Sequence, residues 1–145
     1  MQVSILLQGK GPEVVTIRPD DTVAEGVEVL TRHHIGAVVV SDDGVAVAGI
    51  LSERDVVRSL SERGPAILDE PARSIMTAEV ATCRLDTTVE ELMSVMTERR
   101  IRHVPVVVDG ELVGLISIGD VVKDRISALE DETKVLHDYI ANPTY

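Results

Sequence analysis

Two short stretches, GILSERD at Gly49–Asp55 and GLISIGD at Gly114–Asp120, decide how this chain is read. Each is an apolar run that ends in a serine and, three residues on, an aspartate. A strand that runs straight into a helix has this form. The serine can cap the helix, and a carboxylate in the first turn suits the positive end of the helix dipole. The same pair can also grip a vicinal diol, since a carboxylate accepts from both hydroxyls of a ribose, as acidic residues do in dinucleotide folds. Finding the device twice favours a site over two unrelated caps.

Working outward, the surrounding sequence is itself duplicated. IRPDDTVAEGVEVLTRHHIGAVVVSDDG (Ile17–Gly44) lies over CRLDTTVEELMSVMTERRIRHVPVVVDG (Cys83–Gly110) at a constant offset of 66. Beyond the Asp-Gly turn the first copy holds one extra residue, so Gly49, Ser52 and Asp55 match Gly114, Ser117 and Asp120 at 65. An insertion at a hairpin tip is where a repeat tolerates one.

Each copy reads as strand, helix, strand, strand, helix. Val14–Ile17 and Val80–Cys83 are short β-rich segments. Thr22 with Glu25, and Thr88 with Glu91, have the spacing of capping boxes ahead of amphipathic helices. AVVVS and VPVVV, Asp-Gly turns at Asp43-Gly44 and Asp109-Gly110, and VAVAGILS and ELVGLIS predict two hairpins. Residues 1–64 form the first repeat and 79–145 the second, with a longer helix over 120–141. The linker, 65–78, carries a short helical turn near Ala72–Met76, which VSILLQ near the N-terminus loosely matches. The long helix, with apolar Val122, Ile126, Leu129, Leu136 and Ile140, is expected to pack on its own domain or on a dimer mate.

Composition excludes several classes of function. The net charge of −11 and pI of about 4.7 repel nucleic acid and anionic membranes, although one local basic pocket remains possible. With no Phe or Trp and only two Tyr, the core and any ligand slot must be aliphatic. No apolar stretch approaches the roughly 20 residues that span a bilayer, and the N-terminus lacks the features of a secretion signal. A single cysteine, Cys83, fits a reducing compartment, and a cytoplasmic protein is expected. His33 and His34 are adjacent and point to different sides of a helix, so no metal site is expected. No nucleophile, base and orienting group stand together, so no catalytic residue is assigned.

With IGAVVVSDDG…GILSERDVV in one copy and IRHVPVVVDG…GLISIGDVV in the other, the chain resembles a tandem pair of CBS domains, the regulatory modules named after cystathionine β-synthase. The resemblance covers nearly the whole chain and is to stand-alone, bacterial-type members. It implies an α+β fold of two βαββα repeats packed about a pseudo-twofold axis, two clefts between them, and a homodimer shaped as a disc. It also implies an adenine nucleotide (AMP, ADP, ATP, NAD or S-adenosylmethionine) as a regulatory ligand, with no required cofactor. Ser52 with Asp55, and Ser117 with Asp120, would hold ribose. The base would lie in the cleft of Asp120 against Val14, Val15, Ile35 and Gly36, and in that of Asp55 against Val80, Ala81, Ile101 and Arg102.

Phosphate needs cations, and ERRIRHVP places Arg99, Arg100, Arg102 and His103 close together. Arg grips phosphate bidentately. Arg102 and His103, on the turn into the middle strand, are the leading phosphate residues, with Arg100 beside them. Arg99 reads as a complement to the helix dipole. The matching Gly36 and Ala37 of the first copy are uncharged, so that side would lean on His34, Arg32 or Arg54 and the two clefts would be unequal. Such a chain would signal to a separate regulated protein. A dimerisation module whose Ser/Asp pairs only cap helices, and a small nucleotide-processing enzyme, stay open as alternatives.

Overall fold

The computed structural model describes residues 1–11 and 13–142; residues 143–145, assigned above to the second repeat, lie outside it. Helix α1 (Val3–Lys10) leads into β1 (Thr16–Ile17), α2 (Val23–His33), β2 (Ala37–Val40), β3 (Gly49–Ser52) and α3 (Glu53–Arg63). Two 3-10 turns, Pro65–Asp69 and Ala72–Ser74, precede α4 (Val89–Arg99), β4 (His103–Val108), β5 (Glu111–Ser117) and α5 (Ile118–Ala141). The molecule is α+β, built from the same unit twice.

Local chemistry explains the starts of the helices. Thr22 and Thr88 each accept from the backbone N–H three residues on, while Glu25 and Glu91 accept from the threonine N–H, so both expected capping boxes form. Each such cap contributes about 1 kcal/mol. Helices α2 and α4 also end alike, with His34 and Arg100 in left-handed backbone at φ 53°.

The sheets are less symmetric. In the first repeat β1 runs parallel to β2, which pairs antiparallel with β3. Only Thr16–Ile17 of the expected Val14–Ile17 strand is extended into the sheet. In the second repeat the expected Val80–Cys83 strand shrinks to one bridge: Cys83 donates to Pro105 and accepts from Val107, both at 2.9 Å. The hairpins differ as well. Asp109 and Gly110 both take positive φ, as a tight two-residue turn requires, and β4 and β5 run right up to it. In the first copy, Asp43 instead turns its carboxylate onto the Val45 and Ala46 amides, and the chain stays out of the sheet until Gly49. Those amides hold the Asp43 carboxyl below its ordinary value. The strand expected over Val45–Ser52 is therefore only Gly49–Ser52.

Two separate aliphatic cores result, and packing order differs from chain order. The first repeat's core of Ile17, Val23, Leu30, Val38, Val40, Leu51 and Val56 is completed by Ile67 and Ala72 from the linker. The second repeat's core is completed by Val3 from α1, fully buried among Cys83, Val89, Leu92, Met96, Val104, Val106, Ile116 and Val121. The segments 1–10 and 70–79 are structural equivalents. Val23 donates to the Glu70 carbonyl and Val89 to the Met1 carbonyl, both at 2.9 Å. Thr22 bridges Pro71, and Thr88 bridges Gln2. Gly49 and Gly114 mark where each segment presses on its strand: a Cβ at Gly49 would meet Met76 Sδ at 2.7 Å, and one at Gly114 would run into Leu7. Among the described residues no helix is long and apolar enough to cross a membrane.

Candidate functional site

Both Ser-x-x-Asp pairs lie where the last strand of a repeat becomes a helix. Ser52 ends β3 and caps α3; Ser117 ends β5 and caps α5. In each, the serine Oγ accepts from the aspartate N–H at 3.2 Å, and the aspartate Oδ2 accepts from the serine N–H, at 2.9 Å for Asp55 and 2.8 Å for Asp120. The capping boxes are complete. A second backbone bond is shared too: Glu53 donates to the Gly36 carbonyl as Ile118 donates to that of Arg102.

The surroundings of the two carboxylates diverge. Asp55 is 7% exposed, and Oδ1 accepts from the Thr77 hydroxyl at 3.2 Å. It sits on the wall of a cavity of about 510 Å³ that takes residues from both repeats. Val80, Ala81 and Ile101 supply aliphatic surface there, with Ile50 and Thr77. Arg54, Arg58, Arg99, Arg100 and Arg102 surround it, with His103. Arg54 donates to the Arg100 carbonyl at 3.1 Å, tying the two repeats together. In a chain with an excess of acid, gathering these guanidiniums at one cavity makes a local positive field. Burial pushes the His103 imidazole below its ordinary value; Arg102 and Lys10 act in the same direction, against Glu53 and Asp120.

Asp120 is half-buried, and a cation already holds it. Lys10, at the end of α1, donates to Asp120 Oδ2 and to the Leu115 carbonyl, both at 2.7 Å. Partial burial works to raise the Asp120 pKa, but the bonds from Lys10 and Ser117 outweigh it and hold the carboxyl below its ordinary value. The Asp55 cavity carries Glu79, which in the matching segments 1–10 and 70–79 corresponds to Lys10. The two sides thus carry opposite charges at one equivalent position.

The structure brings Ser52, Asp55, Val80, Ala81, Ile101, Arg100, Arg102 and His103 to one cavity. Gly36, which the sequence reading places with Asp120, lines this cavity too, and a Cβ there would stand 3.3 Å from the His103 ring. Val14, Val15 and Ile35, expected in the cleft of Asp120, are not on its walls, and neither is His34. Val15 and Ile35 pack against the first core, and Arg32 pairs with Glu28 at 2.8 Å. Arg99 lines the cavity as well as ending α4, and Arg54, on which the first repeat's site is expected to lean, lines it too. Ile50, Arg58, Thr77 and Glu79 also line it, and the sequence reading assigns none of them to a site. Arg58 was legible as the i+4 neighbour of Arg54 on one face of α3; nothing in the linker sequence marks Thr77. Among the described residues, no group of three or more His, Cys, Asp or Glu side chains could hold a metal ion.

A duplicated βαββα unit with a shared, cation-rimmed cavity defines a class of paired-repeat modules, and the comparisons give it a name. The CBS domain family matches residues 11–62 and 72–126, and the chain belongs to that family. The crystal structure of the CBS-domain containing protein ATU1752 from Agrobacterium tumefaciens is 46% identical, with a TM-score of 0.83 over 86% of this chain and 99% of that one. The CBS domain protein PAE2072 from Pyrobaculum aerophilum, solved in complex with AMP, is 32% identical, with a TM-score of 0.77 over 92% of this chain and 99% of that one. The mitochondrial CBS domain-containing protein CBSX3 of Arabidopsis thaliana is 39% identical over 83% of this chain, which spans 61% of that protein's length.

Proposed function

We propose that the chain is a regulatory module that binds an adenine nucleotide in the Asp55 cavity and signals to a separate protein. The observation that carries this reading is the chemistry gathered at one cavity: the aliphatic Val80, Ala81 and Ile101, the Ser52–Asp55 pair, and five arginines. An apolar slot suits a base, a carboxylate suits a ribose diol, and guanidiniums suit phosphate. That the Pyrobaculum relative was solved in complex with AMP supports an adenine nucleotide as the class of ligand. The arginines favour phosphate-bearing ligands (AMP, ADP, ATP or NAD) over the cationic S-adenosylmethionine. The Asp120 side, with Lys10 on its carboxylate, binds more weakly. The module needs no cofactor, catalyses no reaction, acts as a homodimer, and works in a reducing compartment such as the cytoplasm, where buried Cys83 stays a thiol.

Isothermal titration with AMP, ATP and S-adenosylmethionine tests this. Phosphate-bearing ligands should bind, more weakly as salt rises, and at roughly 100 times Kd each should add about 2.7 kcal/mol of stability. Asp55→Asn, which preserves shape, should lower affinity roughly tenfold or more through lost charge-assisted bonds. The complete capping boxes favour a second reading, in which the acids only finish helices. Wild-type nucleotide affinity in Asp55→Asn, or no binding at millimolar nucleotide, would select it.

A further inference from the structure

Helix α5 is 24 residues long, yet only its first turns belong to the second repeat. Val121 is buried, whereas every described residue from Leu129 on is exposed. The exposed residues include Val122, Ile126, Leu129, Leu136 and Ile140. A solitary helix of this length gains little stability in water, and a continuous apolar stripe on a monomer marks a contact surface.

We infer that this stripe is the seam of a parallel two-stranded coiled coil formed with α5 of a second copy of the chain. The spacing alternates four and three residues: Val122, Ile126, Leu129, Thr133, Leu136, Ile140. That is a heptad seam, with Ile126, Thr133 and Ile140 at a and Val122, Leu129 and Leu136 at d. β-Branched residues at a with leucine at d favour two parallel strands. Thr133 is not a polar defect there. Its hydroxyl donates to the Leu129 carbonyl of its own helix at 2.9 Å, so the donor is already satisfied within the helix.

Charge selects the direction. In a parallel pair each g residue meets the e residue five positions on in the other helix. Arg125 then faces Glu130, and Glu132 faces His137. In an antiparallel pair with the whole seam overlapped, Glu130 would face Glu130 of the second copy, and Glu132 would face Glu132. Only the parallel pair places opposite charges, Arg125 and Glu130, beside the seam and keeps like charges apart. The inference rests on the homodimer proposed above, whose seam it names, and is independent of the ligand reading; a dimer indifferent to Leu129→Glu would sink the seam alone.

Sedimentation of the full chain from micromolar to millimolar concentration tests it. A dimer is expected, and Leu129→Glu should raise its dissociation constant roughly a hundredfold or more by putting a charge in the seam. Because Leu129 is already 48% exposed, the variant should still fold, as a monomer whose unfolding midpoint no longer rises with protein concentration. Glu130→Lys and Arg125→Glu should each weaken the dimer about fivefold, and the double exchange should restore it. Under oxidation Leu136→Cys should form a covalent dimer by itself, since parallel strands place position 136 opposite itself. A monomer throughout, a dimer indifferent to Leu129→Glu, or cross-linking only when Leu136→Cys is mixed with Ile126→Cys would overturn the inference.

Discussion

Replacing Val3 with alanine tests the exchange of segments between the two repeats. Val3 has no solvent exposure and packs in the second repeat's core, 80 and 86 positions along the chain from Cys83 and Val89. Removing two buried methyl groups costs about 1.6 kcal/mol in transfer free energy, and the cavity left behind takes the total to roughly 2–3 kcal/mol. Against a total stability of about 5–15 kcal/mol this is a large loss, lowering the urea midpoint by about 1 M with an unchanged slope. Native-state hydrogen exchange then reports where the loss falls. The amides of Val104, Val106 and Ile116, in β4 and β5, should lose protection. Those of Val38, Val40 and Leu51, in the other core, should lose much less, because the two clusters are separate. A loss below about 0.5 kcal/mol, or faster exchange confined to the first repeat, would show that α1 does not complete the second core.

Three further outcomes follow from the titratable groups. Because Asp120's pKa is lowered, its contribution to stability is present above the ordinary carboxylate value of 3.8 and is lost as pH falls through the folded value. Lys10→Met should remove most of it, a difference of no more than about 1 kcal/mol for so exposed a pair, read from urea melts on either side of the transition. His103 is lowered from 6.5, so the fold should keep its full stability above that value and lose some as pH drops below it toward the folded value; melts from about pH 8 to about pH 5 should show this slope, and His103→Gln should flatten it. Burial pushes the Cys83 thiol up to about 11, so iodoacetamide should modify it slowly in the native protein and quickly in urea, as followed by mass spectrometry.

What the sequence made legible was whatever depends on near neighbours. Thr22 with Glu25 and Thr88 with Glu91 needed only three-residue spacing, and both boxes form. The Asp109-Gly110 hairpin was equally local, but its counterpart at Asp43-Gly44 was not, because Asp43 can serve the Val45 and Ala46 amides instead of closing a tight turn. Val80 and Ala81 have strand composition, yet only Cys83 meets a partner on β4, and the residues before it go to the cavity wall. The resemblance placed Val80, Ala81, Ile101 and Arg102 near Asp55, and the folded chain gathers them there. The ammonium on Asp120 was beyond reach, since no spacing rule joins Lys10 to a residue 110 positions later.

The exchange of leading segments bears on how such a chain could have arisen. Each half carries ahead of it a piece that seats in the other half's hollow, through Val3 in one direction and Ala72 in the other. A single-copy forebear with one leader and one unit could have sealed its interior only by clasping a twin, each lending its leader to the other. Gene fusion would then have tied an existing intertwined pair into one strand, and cutting this protein in the linker should yield halves that mature together and founder alone.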